Sequence, residues 1–198
     1  MKGNLPQMNA PQQATILIVP GLRDHVEDHW QTHLERKLSA VRKVVCVPPL
    51  EIEKLSCAAR VSAIQRTIGT IEGPVIVVAH SGGVAMLMHW AQQHDTSAIK
   101  GALLAAPPDF ESPLPAGYPT EETLKANGWL PVPRRALTFR SIVAASTNDP
   151  LAKLDRVTQM ANEWGSELVT VGAVGHLNPA SGFGEWPMAE QLIQSLEY

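Results

Sequence analysis

The sequence predicts an α/β fold, a mostly or wholly parallel sheet of about six strands with helices on both faces. Three observations predict it. Short runs of wholly apolar residues recur along the chain, each closed by proline, glycine or a small polar cluster, and strands buried on both faces read as such runs rather than as apolar–polar alternation. Between them lie longer segments whose apolar residues recur three or four apart, the helical period. The 198-residue chain is 44% hydrophobic and 18% charged, which fits one globular domain with a sizeable core.

The elements follow in order. Residues 1–13 are polar and contain Pro6 and Pro11, a composition that predicts a flexible N-terminal arm and lacks the apolar centre of a secretory signal. Residues 14–198 make the single domain. Thr15-Ile16-Leu17-Ile18-Val19 is the first strand, closed by Pro20-Gly21. A helix is expected over residues 26–38, with Trp30, Leu34 and Leu38 at four-residue intervals. Val44-Val45-Cys46-Val47 is the second strand, ended by Pro48-Pro49. Cys57, Val61, Ile64 and Ile68 mark one face of the next helix, and Gly73-Pro74 punctuates before the strand Val75-Ile76-Val77-Val78-Ala79. Val84-Ala85-Met86-Leu87-Met88 opens a buried helix. Gly101-Ala102-Leu103-Leu104-Ala105, Ile142-Val143-Ala144-Ala145 and Leu168-Val169-Thr170-Val171 are the remaining strands. A helix is expected to start at Pro150, proline being favoured in a first turn, and to carry Leu151, Leu154 and Val157. A last helix runs near residues 189–196.

One segment breaks the alternation. Between Ala105 and Ser141 lie seven prolines, and this Pro-rich excursion at about 106–140 has room for one short helix near residues 121–126. A long excursion after a strand end is placed where open α/β sheets bind ligands. Its expected role is a partial cover and substrate wall, which also gives Phe110, Tyr118 and Trp129 somewhere to bury.

The net charge of −3 leaves no basic footprint, so nucleic acid is not expected as a partner. No apolar run approaches a membrane span, so no membrane is expected either, and the expected location is cytoplasmic. Cys46 and Cys57 have no metal-like spacing and read as packing residues; a disulfide between them stays open.

The turn Ala79-His80-Ser81-Gly82-Gly83 lies between the apolar run Val75–Ala79 and the apolar helix. It is one residue from the G-x-S-x-G pattern of a nucleophile elbow, with Ala79 in the first glycine position. The plainer alternative is that Ser81 only caps the helix. A serine nucleophile needs a base, and the base an orienting acid. In the elbow-bearing fold these follow in the order Ser, Asp/Glu, His, each after a strand. Asp149 follows the Ile142–Ala145 strand, in Ser146-Thr147-Asn148-Asp149-Pro150. His176 follows the last strand, in Gly172-Ala173-Val174-Gly175-His176, and no other histidine lies beyond His94. Ser81, Asp149 and His176 are therefore the expected catalytic triad. Asp109 is the rival acid, in the less determined excursion. The Gly82 N–H at the helix start and the Leu22 N–H after the first strand are the expected oxyanion donors.

His25, His29 and His33 are spaced by four and could share a helix face, and His25-Val26-Glu27-Asp28-His29 approaches an inverted zinc motif. A metallohydrolase using His25 and His29 is the resulting alternative, although no distal carboxylate ligand is apparent. No cofactor or metal is required by the triad. His80 is expected to be structural or pocket-lining, and His89 and His94 to lie on a helix surface or end.

Taken together, Asp28-His29-Trp30-Gln31, His80-Ser81-Gly82-Gly83, Ser146-Thr147-Asn148-Asp149-Pro150, Gly175-His176-Leu177-Asn178, Ser181-Gly182 and Trp186-Pro187 resemble the small serine hydrolases related to retinoblastoma-binding protein 9, in the α/β-hydrolase superfamily. The likeness covers nearly the whole chain after about residue 14. It implies a compact α/β-hydrolase with the triad Ser81, Asp149 and His176, and it fixes no substrate. The L-x-C-x-E motif of a retinoblastoma-type partner is not found; Val44-Val45-Cys46-Val47-Pro48 lacks both the leucine and the glutamate. The expected activity is hydrolysis of a small ester, thioester or amide, or a short peptide, through an acyl-enzyme. The alternative of another class is a catalytically weak binding or regulatory protein on the same fold.

Overall fold

Successive side chains of a strand point to opposite faces of a sheet, so a wholly apolar run needs cover on both sides. The computed structural model, which describes residues 12–24 and 26–198, supplies that cover. Residues 1–11, and with them most of the expected N-terminal arm, lie outside the described residues, as does His25.

The elements are β1 (Thr15–Val19), α1 (Trp30–Leu38), β2 (Val44–Cys46), α2 (Cys57–Ile68), β3 (Val75–His80), α3 (Gly82–Gln93), β4 (Ile99–Ala105), α4 (Glu121–Ala126), β5 (Arg140–Ala145), α5 (Leu154–Trp164), β6 (Glu167–Thr170) and α6 (Pro187–Ser195), with a 3-10 turn at Pro179–Ser181. The strands form one sheet in the order β2-β1-β3-β4-β5-β6, and every pair is parallel. Ile16, Ile18, Ile76, Val78, Leu103 and Ile142 pack under α1 and α6 on one face. Leu17, Val19, Val77, Leu104 and Val143 pack under α2, α3 and α5 on the other. Each such fully buried aliphatic side chain contributes about 1.5–3 kcal/mol relative to exposure. The edge strands β2 and β6 are only half-buried.

The strand order reverses between β1 and β3, and ligands of open α/β sheets bind at such a switch point, outside the carboxyl ends of the strands. The loop after β1 and the turn after β3 are the segments placed there.

Three local expectations are corrected. First, α1 starts at Trp30, not near Val26. His29 is its N-cap, with extended backbone and a ring Nδ1 that accepts the Gln31 N–H at 3.2 Å, while Thr32 Oγ1 donates to the Val26 carbonyl at 2.7 Å. The apolar stripe continues upstream through Val26, but the cap ends the helix at His29. Second, α5 begins at Leu154 rather than Pro150, because Asp149 Oδ1 accepts the Leu151 N–H at 2.8 Å and holds residues 149–151 in a turn. Third, His89 is buried rather than on a helix surface. Its Nε2–H donates to the Trp129 carbonyl at 3.0 Å, a contact made by the excursion lying over α3.

No helix of the described residues is long and apolar enough to cross a membrane. Both cysteines are free. Burial, then the Glu35 and Asp24 carboxylates, pushes the Cys46 thiol up to about 12, and burial alone pushes Cys57 up to about 11. Neither is a thiolate at neutral pH, which suits packing rather than nucleophilic chemistry.

Candidate active site

The backbone at Ser81 has φ 53° and ψ −128°, a conformation that costs a non-glycine residue about 1–3 kcal/mol. The surroundings hold it there. Ser81 N–H donates to the Ala105 carbonyl at 3.0 Å, tying the end of β3 to β4, and Val84 N–H donates to the Ser81 carbonyl at 2.9 Å. Gly83 lets α3 start against the end of β1: a Cβ there would lie 2.4 Å from the Val19 carbonyl oxygen and 2.6 Å from that of Pro20. Ser81 precedes α3, but its side chain makes no capping hydrogen bond, which removes the plainer reading of the serine.

The hydroxyl is directed to a histidine instead. Ser81 Oγ is 2.7 Å from His176 Nε2, and His176 Nδ1 is 2.8 Å and 3.0 Å from the two Asp149 oxygens. The carboxylate can only accept, so Nδ1 carries the proton and Nε2 faces the serine O–H as an acceptor. The Asp149 and His176 side chains are 2% and 4% exposed, so water competes little for either bond. Residues from the turn after β3, from the loop after β5 and from the loop after β6 thus meet at one sheet edge.

Asp109, the rival acid, is committed elsewhere. It bonds Arg156 Nε at 2.9 Å and Ser112 Oγ at 2.6 Å. Burial alone would raise its carboxyl, but Arg156 and Ser112 outweigh that and hold it below the usual carboxylate range.

The loops carrying acid and base are braced against each other. Asn148 Oδ1 accepts from Gly175 N–H at 2.7 Å and from Ser146 Oγ at 3.0 Å, and Ser146 Oγ accepts from Val174 N–H at 3.2 Å. Gly175 (φ 62°) and Leu177 (φ 47°) turn the chain on either side of His176, and the His176 N–H donates to Ser181 Oγ at 3.0 Å. From α1, buried Gln31 donates to the Val19 and Val78 carbonyls at 3.2 and 3.0 Å, stapling the ends of β1 and β3. Sequence reasoning gave these bracing groups no role, although Gln31, Ser146, Asn148 and Ser181 all lie in the stretches that carry the family resemblance.

His80 packs behind the site. Its Nε2–H donates to the His176 carbonyl at 2.9 Å, and its ring lies 5.1 Å from that of His176 and 4.5 Å from that of His29. Burial, then the neighbouring His176 and His29, holds His80 well below the ordinary histidine range, and burial lowers His89 against its bond to Trp129. The unfolded chain therefore binds more protons than the folded one below about pH 6.5, and stability falls as the pH drops through that region. Between pH 7.5 and 5.5, urea titrations are expected to show a loss of at most about 1.4 kcal/mol from each histidine. His80→Gln, which keeps a donor for the His176 carbonyl, is expected to flatten that dependence.

Among the described residues no three His, Cys, Asp or Glu side chains converge as a metal site. His29 caps α1 and packs on His80, so it does not continue a helical row with His33, and His25 lies outside the described residues.

Ser81 and His176 open on a cleft of about 370 Å³, within the range of small-molecule sites. Leu22, Leu55, Phe110, Leu114, Tyr118 and Leu151 give it predominantly apolar walls. Phe110 is fixed edge-on against Trp129 at 5.7 Å, and Trp129 Nε1 donates to the Leu55 carbonyl at 2.7 Å. The excursion thus forms one wall, and the Arg23 guanidinium sits 5.5 Å over the Tyr118 ring. The loop after β1 meets the elbow directly: a Cβ on Gly82 would lie 3.4 Å from Leu22 N.

Comparison with solved structures gives a consistent result. A protein of Pectobacterium atrosepticum described as a YdeN-like hydrolase is 31% identical, with a TM-score of 0.74 over 93% of this chain and 91% of its own. The ydeN gene product of B. subtilis is 17% identical, with a TM-score of 0.70 over 93% and 98%. Est1E of Butyrivibrio proteoclasticus is 12% identical, with a TM-score of 0.67 over 98% and 90%. The latter two likenesses bear on the fold alone, which is that of the α/β-hydrolases. No curated protein sequence matches the chain. The serine hydrolase family model matches residues 16–195, and the chain belongs to that family.

Proposed function

We propose that the protein hydrolyses small, predominantly apolar carboxylic esters, thioesters or amides through an acyl-enzyme on Ser81. The observation that carries this reading is the hydrogen-bond chain from Asp149 through His176 to Ser81, opening into an apolar cleft. His176 Nε2 takes the serine proton as Ser81 Oγ attacks the carbonyl carbon. Asp149 holds the Nδ1–H tautomer and stabilises the imidazolium. The Gly82 and Leu22 N–H groups receive the tetrahedral oxyanion; no hydrogen bond from either amide is present among the described residues. Collapse expels the alcohol, thiol or amine with the proton from His176. Water, deprotonated by His176, then attacks the acyl carbon and releases the acid and Ser81. The residues needed are all present without a cofactor, and the proposed partner is a small-molecule or short-peptide substrate in the cytoplasm, where two free thiols stay reduced.

The cleft volume limits the substrate. Across a panel of p-nitrophenyl esters, short and medium neutral acyl chains are expected to exceed long-chain and acyl-carboxylate esters by at least about tenfold in kcat/KM. A protein that binds these esters with no turnover would favour the binding or regulatory alternative.

A further inference from the structure

The turn that carries Leu22 is shaped from outside itself. Asp24 N–H donates to the Gly21 carbonyl at 3.0 Å, closing residues 21–24. Asp24 sits at φ 58°, a left-handed conformation uncommon for a residue other than glycine, although Asp tolerates it better than most. Arg60, on α2, is 4% exposed and commits its guanidinium to this region. Nη1 pairs with the Asp24 carboxylate, Nη2 donates to the Leu22 carbonyl at 3.3 Å, and Nε donates to the Lys54 carbonyl at 2.9 Å.

A buried ion pair often does no better for stability than apolar packing would, which directs attention to the geometry it fixes. Here that geometry is the peptide next to a proposed oxyanion donor. A guanidinium is a planar fork with donors in set directions, and this one grips the turn at a side chain and at the Leu22 carbonyl. The turn touches the elbow closely: a Cβ on Gly82 would lie 2.9 Å from Leu22 Cγ. A small rotation of the turn would move the Leu22 N–H away from the Gly82 N–H.

We propose that Arg60, with Asp24, is a positioning residue for the oxyanion site, holding the Leu22 amide in register with that of Gly82. This rests on Ser81 being the nucleophile. Donors fixed before the reaction need no reorganisation as charge develops, and that is where such sites gain their effect.

The test compares Asp24→Asn, Arg60→Lys and Arg60→Met with wild type, with rates expressed per site titrated by a fluorophosphonate. Asn tolerates the left-handed backbone and keeps the shape of Asp, so Asp24→Asn decides the matter if Arg60→Met does not fold. The expected result is a fall of about 10- to 100-fold in kcat, less than the full loss of a donor, with KM within about twofold. Affinity for a trifluoromethyl ketone, which forms an oxyanion on the serine, falls in parallel, while affinity for the neutral alcohol product is held. Arg60→Lys, which keeps the charge without the fork, is expected to fall between wild type and Arg60→Met. Unchanged kcat in Asp24→Asn, or equal losses for the ketone and the alcohol product, would overturn the proposal. Turnover that survives in Ser81→Ala would instead overturn the reading beneath it.

Discussion

Replacing Ser81 by alanine is expected to lower kcat toward a short ester by about 10⁴- to 10⁶-fold, with the fold and KM little changed. The size follows from the order of events. In the proposed mechanism no acyl-enzyme forms without Oγ, and the rate left is that of water attacking a carbonyl held beside the proposed oxyanion donors. His176→Ala is expected to cost about as much, because the serine proton then has no acceptor. Asp149→Asn leaves a side chain of the same shape but favours the wrong imidazole tautomer, and an effect of about 10⁴-fold is expected. Combining Ser81→Ala with His176→Ala should add little to either, since the residues act as a unit. Steady-state kinetics on the single and double variants check all four. Independent, multiplying effects would mean that the hydrogen-bond chain is not one catalytic device.

Gly83→Ala is expected to destabilise the protein by about 3 kcal/mol or more. The added carbon would fall 2.4 Å from the Val19 carbonyl oxygen and 2.6 Å from that of Pro20, backbone atoms at and just beyond the end of the interior strand β1. Neither can rotate away as a side chain could, so β1 or α3 must shift. Because α3 begins beside Ser81, the shift also reaches the elbow. Urea unfolding measures the stability loss, and fluorophosphonate labelling of the fraction still folded measures the damage to the site. A variant with wild-type stability and labelling would show that strand and helix do not need that approach. Ala79, by contrast, is wholly buried in β3 with backbone in strand conformation, so alanine at the first position of the motif leaves the elbow formed.

The strands were legible because burial on both faces demands wholly apolar runs, and proline or glycine marks where they stop. Ser81, Asp149 and His176 could be singled out because a parallel sheet delivers each strand's end to the same edge. Chain order therefore carries spatial information, and those three residues lie within hydrogen-bonding distance in the structure. What was not legible depends on contacts between distant residues. Gln31 reaches Val78, Arg60 reaches Asp24 and His80 reaches the His176 carbonyl; no local spacing encodes these. The start of α1 was misplaced because Val26 extends the apolar stripe, while histidine is not among the residues usually expected to cap a helix. His89 was misplaced because its burial is created by the Trp129 carbonyl from the excursion, whose path the sequence did not determine.

The most direct measurement is to label the intact protein with a fluorophosphonate and locate the adduct by peptide mass spectrometry, with ester turnover followed in parallel. The account predicts a single adduct on Ser81, formed as turnover is lost, absent in Ser81→Ala and unaffected by a metal chelator. An adduct on another residue, turnover that survives complete labelling of Ser81, or turnover abolished by chelation would contradict it.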